Sequence, residues 1–162
     1  MDATVHAWTN FFVAIAGASA ALSGLMIVAM SANIRELLKS LSLPARAGAA
    51  ISGVTAALLT SCLFLVPGQP MWALGAEVLV AGLLLWGIWL AVPKAVRRDP
   101  QPSHPGAIRT VVPAFAPALF SVSGALLIVD LEAGIGVLAA ACLVAIVAGV
   151  LFAWIALVEV LR

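Results

Sequence analysis

Five apolar runs, separated by four short polar gaps, organise this 162-residue chain. They predict helices over about 11–33, 47–66, 72–92, 107–129 and 134–158. About 20 apolar residues are needed for a helix to cross the hydrocarbon core of a bilayer, and each run meets that length. The predicted fold is all-α: a polytopic membrane helix bundle with five transmembrane helices, forming a single domain over 1–162.

Within the runs, small residues recur at helical spacing. Between Ala14 and Gly24 of the first run only Ile15 and Leu22 are large, so this helix is expected to pack centrally, on more than one face. Trp8, Phe11 and Phe12 precede that stretch and read as an aromatic anchor at the interface. Ser31 and Asn33 are placed to cap its other end, before a short amphipathic piece over 34–41 in which Arg35 and Lys39 share a face towards lipid headgroups. The second run carries two adjoining stripes, Ala49-Gly53-Ala57-Ser61 and Ser52-Ala56-Thr60. Pro67-Gly68-Gln69-Pro70 then stops it in a tight turn. The third run is Leu-rich, bears Trp72 at one end and Trp86 and Trp89 near the other, and is expected to face lipid. The fourth holds Pro113 and Pro117 on one face, a candidate kink. The fifth has Ala141, Ala145, Gly149 and Ala153 on one stripe, with Trp154 as an anchor.

Charge orients the helices. All eight Lys and Arg residues fall in the first gap (Arg35, Lys39, Arg46), in the third (Lys94, Arg97, Arg98, Arg109) or at the end of the chain (Arg162). Basic residues beside spans stay cytoplasmic, which predicts the N-terminus outside and the C-terminus inside. The acids Asp2, Glu77, Asp130 and Glu132 are left on the outer side. The chain is 64% hydrophobic and 9% charged, against about 25% charged in soluble domains. That excludes a water-soluble core and makes the lipid bilayer the first partner. The first ten residues lack a basic n-region, although Ala18-Ser19-Ala20 mimics a cleavage site; the first run is therefore expected to be a retained anchor. The longest gap, Pro93 to Ile108, is rich in Pro and reads as a structureless loop.

Few residues offer chemistry. Glu77 lies about one turn inside the third helix and is the leading candidate for a pathway. The alternatives are that it reaches back to the interface or offsets the helix dipole. Ser19, Ser23 and Thr60 supply hydroxyls on the first two helices, and Gly149 a close-packing position that serves either an assembly interface or the internal core. No His or Lys is placed to activate a hydroxyl, so no catalytic residue is assigned. His6 and His104 sit on opposite sides of the membrane, which leaves no metal or cofactor set within one chain. Cys62 and Cys142 read as free small apolar residues. Nothing suggests nucleic-acid binding.

Trp8-x-x-Phe11-Phe12, the run Ala16 to Leu25, Val28-Ala29-x-Ser31-x-Asn33 and Leu65-Val66-Pro67-Gly68-Gln69 resemble a family of small actinobacterial-type integral membrane proteins. Its members are sometimes labelled modulators of the FtsH protease. The likeness covers mainly the first three helices and implies a multi-pass protein of the bacterial cytoplasmic (inner) membrane. The expected function is non-enzymatic: an accessory or scaffold protein packing with partner helices, in a homo-oligomer or with another membrane protein. The alternative is a small oligomeric channel or transporter for cations or small solutes.

Overall fold

In a computed structural model of the protein, which describes residues 2–38, 42–98 and 107–160, five long helices and one short one are joined by tight turns. They are α1 (Asp2–Ala32), α2 (Ile34–Leu37), α3 (Ser42–Phe64), α4 (Met71–Arg98), α5 (Ala107–Ile128) and α6 (Ala133–Val160). Four are long and apolar enough to cross a membrane, over His6–Ala32, Ser42–Phe64, Met71–Lys94 and Ala133–Trp154. The described apolar stretch of α5, Ala114–Ile128, is shorter.

The helices extend beyond the apolar runs. α1 begins at Asp2 rather than near Phe11, because nothing in the polar lead-in breaks a helix. α3 begins at Ser42 rather than Ala47, with Pro44 tolerated in a first turn whose amides have no partner within the helix. α4 continues through Pro93 to Arg98. The expectation that Pro93 opens a structureless loop is therefore wrong: proline removes the bond to the Trp89 carbonyl but does not end the helix. Lys39–Leu41, residues 99–106 with His104, and Arg162 lie outside the described residues.

The long helices run alternately up and down. α3, α4, α5 and α6 form a closed ring in which each packs on the next and α6 returns to α3. α1 lies against α3 and only lightly against α6. The central helix is thus α3 rather than the first helix. Its two stripes do the packing: Gly53, Ala57 and Ser61 are buried, as are Ala56 and Thr60. In lipid, close backbone approach replaces the hydrophobic drive between helices, so small residues concentrate where helices touch.

The closest pair is α4 with α5. A Cβ added at Gly75 would lie 2.6 Å from Ile128 N and 2.9 Å from Gly124 O. One added at Gly124 would lie 2.5 Å from Leu79 N. One added at Gly82 would meet Ser121 N at 2.8 Å. α4 is therefore not simply lipid-facing: Leu83, Leu84 and Leu90 point outwards, while Leu74, Val78 and Leu85 are buried behind its glycine edge.

At the end of the ring near Phe64, aromatic rings stack rather than anchor. Phe12 is fully buried, its ring centroid 4.2 Å from that of Phe64. Phe11 meets Phe12 edge-on at 5.3 Å, and Trp8 meets Phe11 at 5.6 Å. Trp72 and Trp154, both read from the sequence as anchors, are exposed. α5 ends in a Schellman motif: Leu131 N–H donates to Leu126 O and Asp130 N–H to Leu127 O. Asp130 takes the left-handed position at φ 58°.

Candidate functional site

The sequence candidates do not converge on one site. Glu77 and Gly149 belong to different regions, and the hydroxyls are divided between α1 and α3.

Glu77 is exposed on the second turn of α4. It is held by the turn before it. Pro67 and Gly68 supply the pairing a type II turn demands, with Gly68 at φ 75°. The Pro70 carbonyl then accepts the amides of Ala73 and Leu74 to start α4. This geometry folds Gln69 back over the helix, and its Nε2 donates to Glu77 Oε2 at 2.6 Å. The carboxylate lacks a basic neighbour in sequence but not a donor. The other amide atom, Gln69 Oε1, is buried without a partner. This is the geometry of a latch across the α3–α4 turn.

Ser19 is fully buried on the face of α1 towards the bundle, and Ser23 is half-buried one turn further along. Neither hydroxyl has a hydrogen-bond partner. A serine hydroxyl in a helix has the carbonyl one turn back within reach, so two unpaired in succession are unusual. Thr60 behaves conventionally. Its Oγ1 donates to Ala56 O at 2.8 Å. It lies 3.9 Å from Cys142 Sγ, with Ser61 Oγ 4.0 Å from the same sulfur. These three side chains form a small buried polar contact between α3 and α6. Cys62 is exposed and not bonded to Cys142; both thiols are free.

Gly149 is buried inside the bundle. A Cβ there would sit 2.6 Å from Val54 Cγ2 and 3.5 Å from both Leu22 Cδ2 and Met26 Sδ. Ala141 and Ala145 on the same stripe are buried too, with Ala145 Cβ 3.9 Å from the Cβ position of Gly53. Of the two readings of this stripe, the internal core is the one the packing matches.

The outward small-residue face belongs instead to α1. Ala14, Gly17, Ala21 and Gly24 are all exposed, and nothing lies within 4 Å of a Cβ added at Gly17 or Gly24. With Asn10 and Val28 they form a line of alternating four- and three-residue steps, the 3.5-residue repeat of a helix seam. Composition pointed to this helix, but nothing in its small residues says which side turns outwards.

A second unforeseen contact is Ser123 Oγ donating to Gly134 O at 2.8 Å, a buried bond tying α5 to α6. Among the described residues no group of three or more His, Cys, Asp or Glu is placed to hold a metal ion. His6 is exposed. No protein-family model, curated protein or solved structure matches this chain.

Proposed function

We propose that this is a non-enzymatic, multi-pass protein of the bacterial cytoplasmic membrane, an accessory or scaffold protein that packs with partner helices. The observation that carries the reading is the exposed seam Ala14-Gly17-Ala21-Gly24 on α1. Glycine inside a helix costs about 0.8–1 kcal/mol relative to alanine. Among the described residues, Gly17 and Gly24 make no close contact that would offset this. A partner helix, from a second copy or from another membrane protein, would make the close approach that glycine permits. A membrane protease is the partner class that the family resemblance implies.

Topology belongs to the same reading. The basic residues Arg35, Arg46, Lys94, Arg97, Arg98 and Arg109 all fall on helix segments at the end of the bundle away from Phe64. Five crossings, with the N-terminus outside and the C-terminus inside, place that end in the cytoplasm. Reporter fusions after Gln69 and Leu131 are expected to report outside, and those after Lys39 and Gln101 inside. A cytoplasmic signal at Gln69 would overturn the five-span arrangement.

The assembly test uses Gly17→Leu with Gly24→Leu. A Cβ at either position has no described neighbour within 4 Å, so the monomer is expected to fold and the complex to dissociate, visible as a size shift in mild detergent. A photo-crosslinker at Ala21 should capture the neighbour in wild type and lose it in the double variant. A wild type that is monomeric and uncrosslinked at Ala21 in cells would sink the reading. The alternative, an oligomeric channel or transporter for cations or small solutes, is favoured by the unpaired hydroxyls of Ser19 and Ser23. It requires flux through wild-type liposomes that Ser19→Ala or Glu77→Gln alters without loss of protein.

A further inference from the structure

At Asn33 the chain steps off the bundle. Polar side chains at the end of α1 bond its own carbonyls: Ser31 Oγ donates to Ile27 O at 2.9 Å and Asn33 Nδ2 to Ala29 O at 3.0 Å. Asn33 N–H turns back to Met30 O. One further turn of helix, α2, follows and is closed by Leu38 N–H on Ile34 O. Its packing is against α1. Ile34 is 50% exposed and Leu38 69%, and their four-residue spacing puts them on one side of the turn. Arg35 beside them is exposed.

We propose that α2 lies in the plane of the membrane and binds anionic phospholipid headgroups, with Ile34 and Leu38 inserted at the acyl boundary and Arg35 on the phosphate. The charge of this whole end of the molecule selects this occupant, since within α2 itself Glu36 offsets Arg35. α2 leaves the bundle at the basic end, where α3 adds a half-buried Arg46 and α4 an exposed Lys94. The apolar span of α1 ends at Ala32, so with that span in the bilayer the next turn falls at headgroup level. A basic side chain close to an anionic leaflet is worth about 1 kcal/mol, or about fivefold in binding. The guanidinium adds a planar fork that matches two phosphate oxygens. The inference needs the membrane, but neither the partner helix nor the direction of the chain across the bilayer.

The test places an environment-sensitive bimane at Leu38→Cys in a Cys62→Ala/Cys142→Ala background, which keeps an apolar group on that face. The protein is reconstituted in nanodiscs of phosphatidylcholine alone or with phosphatidylglycerol. Acrylamide quenching is expected to fall, and quenching by brominated lipid to rise, when phosphatidylglycerol is present. Arg35→Gln should shift the inserted fraction back by about fivefold, and Ile34→Ser should expose the label in both lipids. Both substituted side chains are exposed, and unchanged tryptophan fluorescence from the bundle confirms that the variants fold. Equal quenching in the two lipids, or no effect of Arg35→Gln, overturns the proposal. Protection of the label by millimolar inorganic phosphate in pure phosphatidylcholine also overturns it, because the site would then be a phosphate site and not a lipid one.

Discussion

Replacing Gly124 by alanine should separate two opposed effects by sign. In an open helix interior the change is favourable by about 0.8–1 kcal/mol, because alanine restricts the unfolded chain. At Gly124 the new Cβ would lie 2.5 Å from Leu79 N, 2.7 Å from Leu79 Cα and 2.8 Å from Gly75 O. These are backbone atoms and cannot rotate away. Non-bonded carbon atoms settle at about 3.5–4.0 Å, so α4 and α5 must part by about 1 Å. Overpacking of this kind costs about 1–3 kcal/mol. The net expectation is a loss of up to about 2 kcal/mol, against a gain approaching 1 kcal/mol for Gly17→Ala or Gly24→Ala, where nothing lies within 4 Å. Gly75→Ala should resemble Gly124→Ala, since its Cβ would lie 2.9 Å from Gly124 O. The pair should be less than additive, because helices already parted for one methyl accept the second more easily. Reversible unfolding by sodium dodecyl sulfate in mixed micelles, followed by tryptophan fluorescence, measures each value. If Gly124→Ala stabilises the protein as much as Gly17→Ala does, the backbones of α4 and α5 are not in close contact at Gly124.

Three further outcomes follow from single contacts. Asp130 holds a left-handed φ of 58° at the end of α5, so Asp130→Gly should stabilise the protein by about 0.5–1 kcal/mol and Asp130→Val should destabilise it, in the same unfolding assay. Ser123→Ala removes the buried bond to Gly134 O and should cost about 0.6 kcal/mol, and no more than about 1.7, the range for side-chain bonds between membrane helices; a neutral result would mean the α5–α6 junction does not depend on it. A membrane-permeant maleimide should modify the exposed Cys62 in the folded protein and reach the fully buried Cys142 only after unfolding, which mass spectrometry of Cys62→Ala and Cys142→Ala variants reads directly.

The helices were legible in the sequence because the bilayer demands long apolar runs, and the runs stand out against polar gaps. Their extents were less so: apolarity marks what lipid can cover, whereas a helix continues until its backbone is stopped. α1 therefore reaches back to Asp2, and α4 runs through Pro93. Which face of each helix turns inward was hardly legible at all. In water, a polar side and an apolar side announce the answer. In lipid both sides are apolar, and a small residue serves equally in the core or at an outer interface. Ala141, Ala145 and Gly149 turned inward, while Ala14, Gly17, Ala21 and Gly24 of the helix expected at the centre turned outward. Gly75 and Gly82 on α4 were a usable signal, two glycines seven residues apart, that the surrounding leucines masked. The Gln69–Glu77 bond follows from the tight Pro67-Gly68 turn, but only once the turn brings Gln69 back over α4.

The contrast between the two small-residue faces separates the effects of substitution on them. A bulky side chain at Gly149 meets Val54, Leu22 and Met26 and must force α6 away from α1 and α3. At Gly17 or Gly24 a Cβ has no described atom of another helix within 4 Å. Gly149→Leu should therefore lower the stability of the monomer, and any loss of assembly would follow from that. Gly17→Leu should not lower the stability of the monomer, and should if anything raise it as Gly17→Ala does, while acting on what α1 touches outside the bundle. If both variants unfold alike, the outward face of α1 is part of the folding core after all. If only Gly149→Leu unfolds, and Gly17→Leu changes the size of the complex, then folding and assembly in this protein are carried by separate glycines on separate helices.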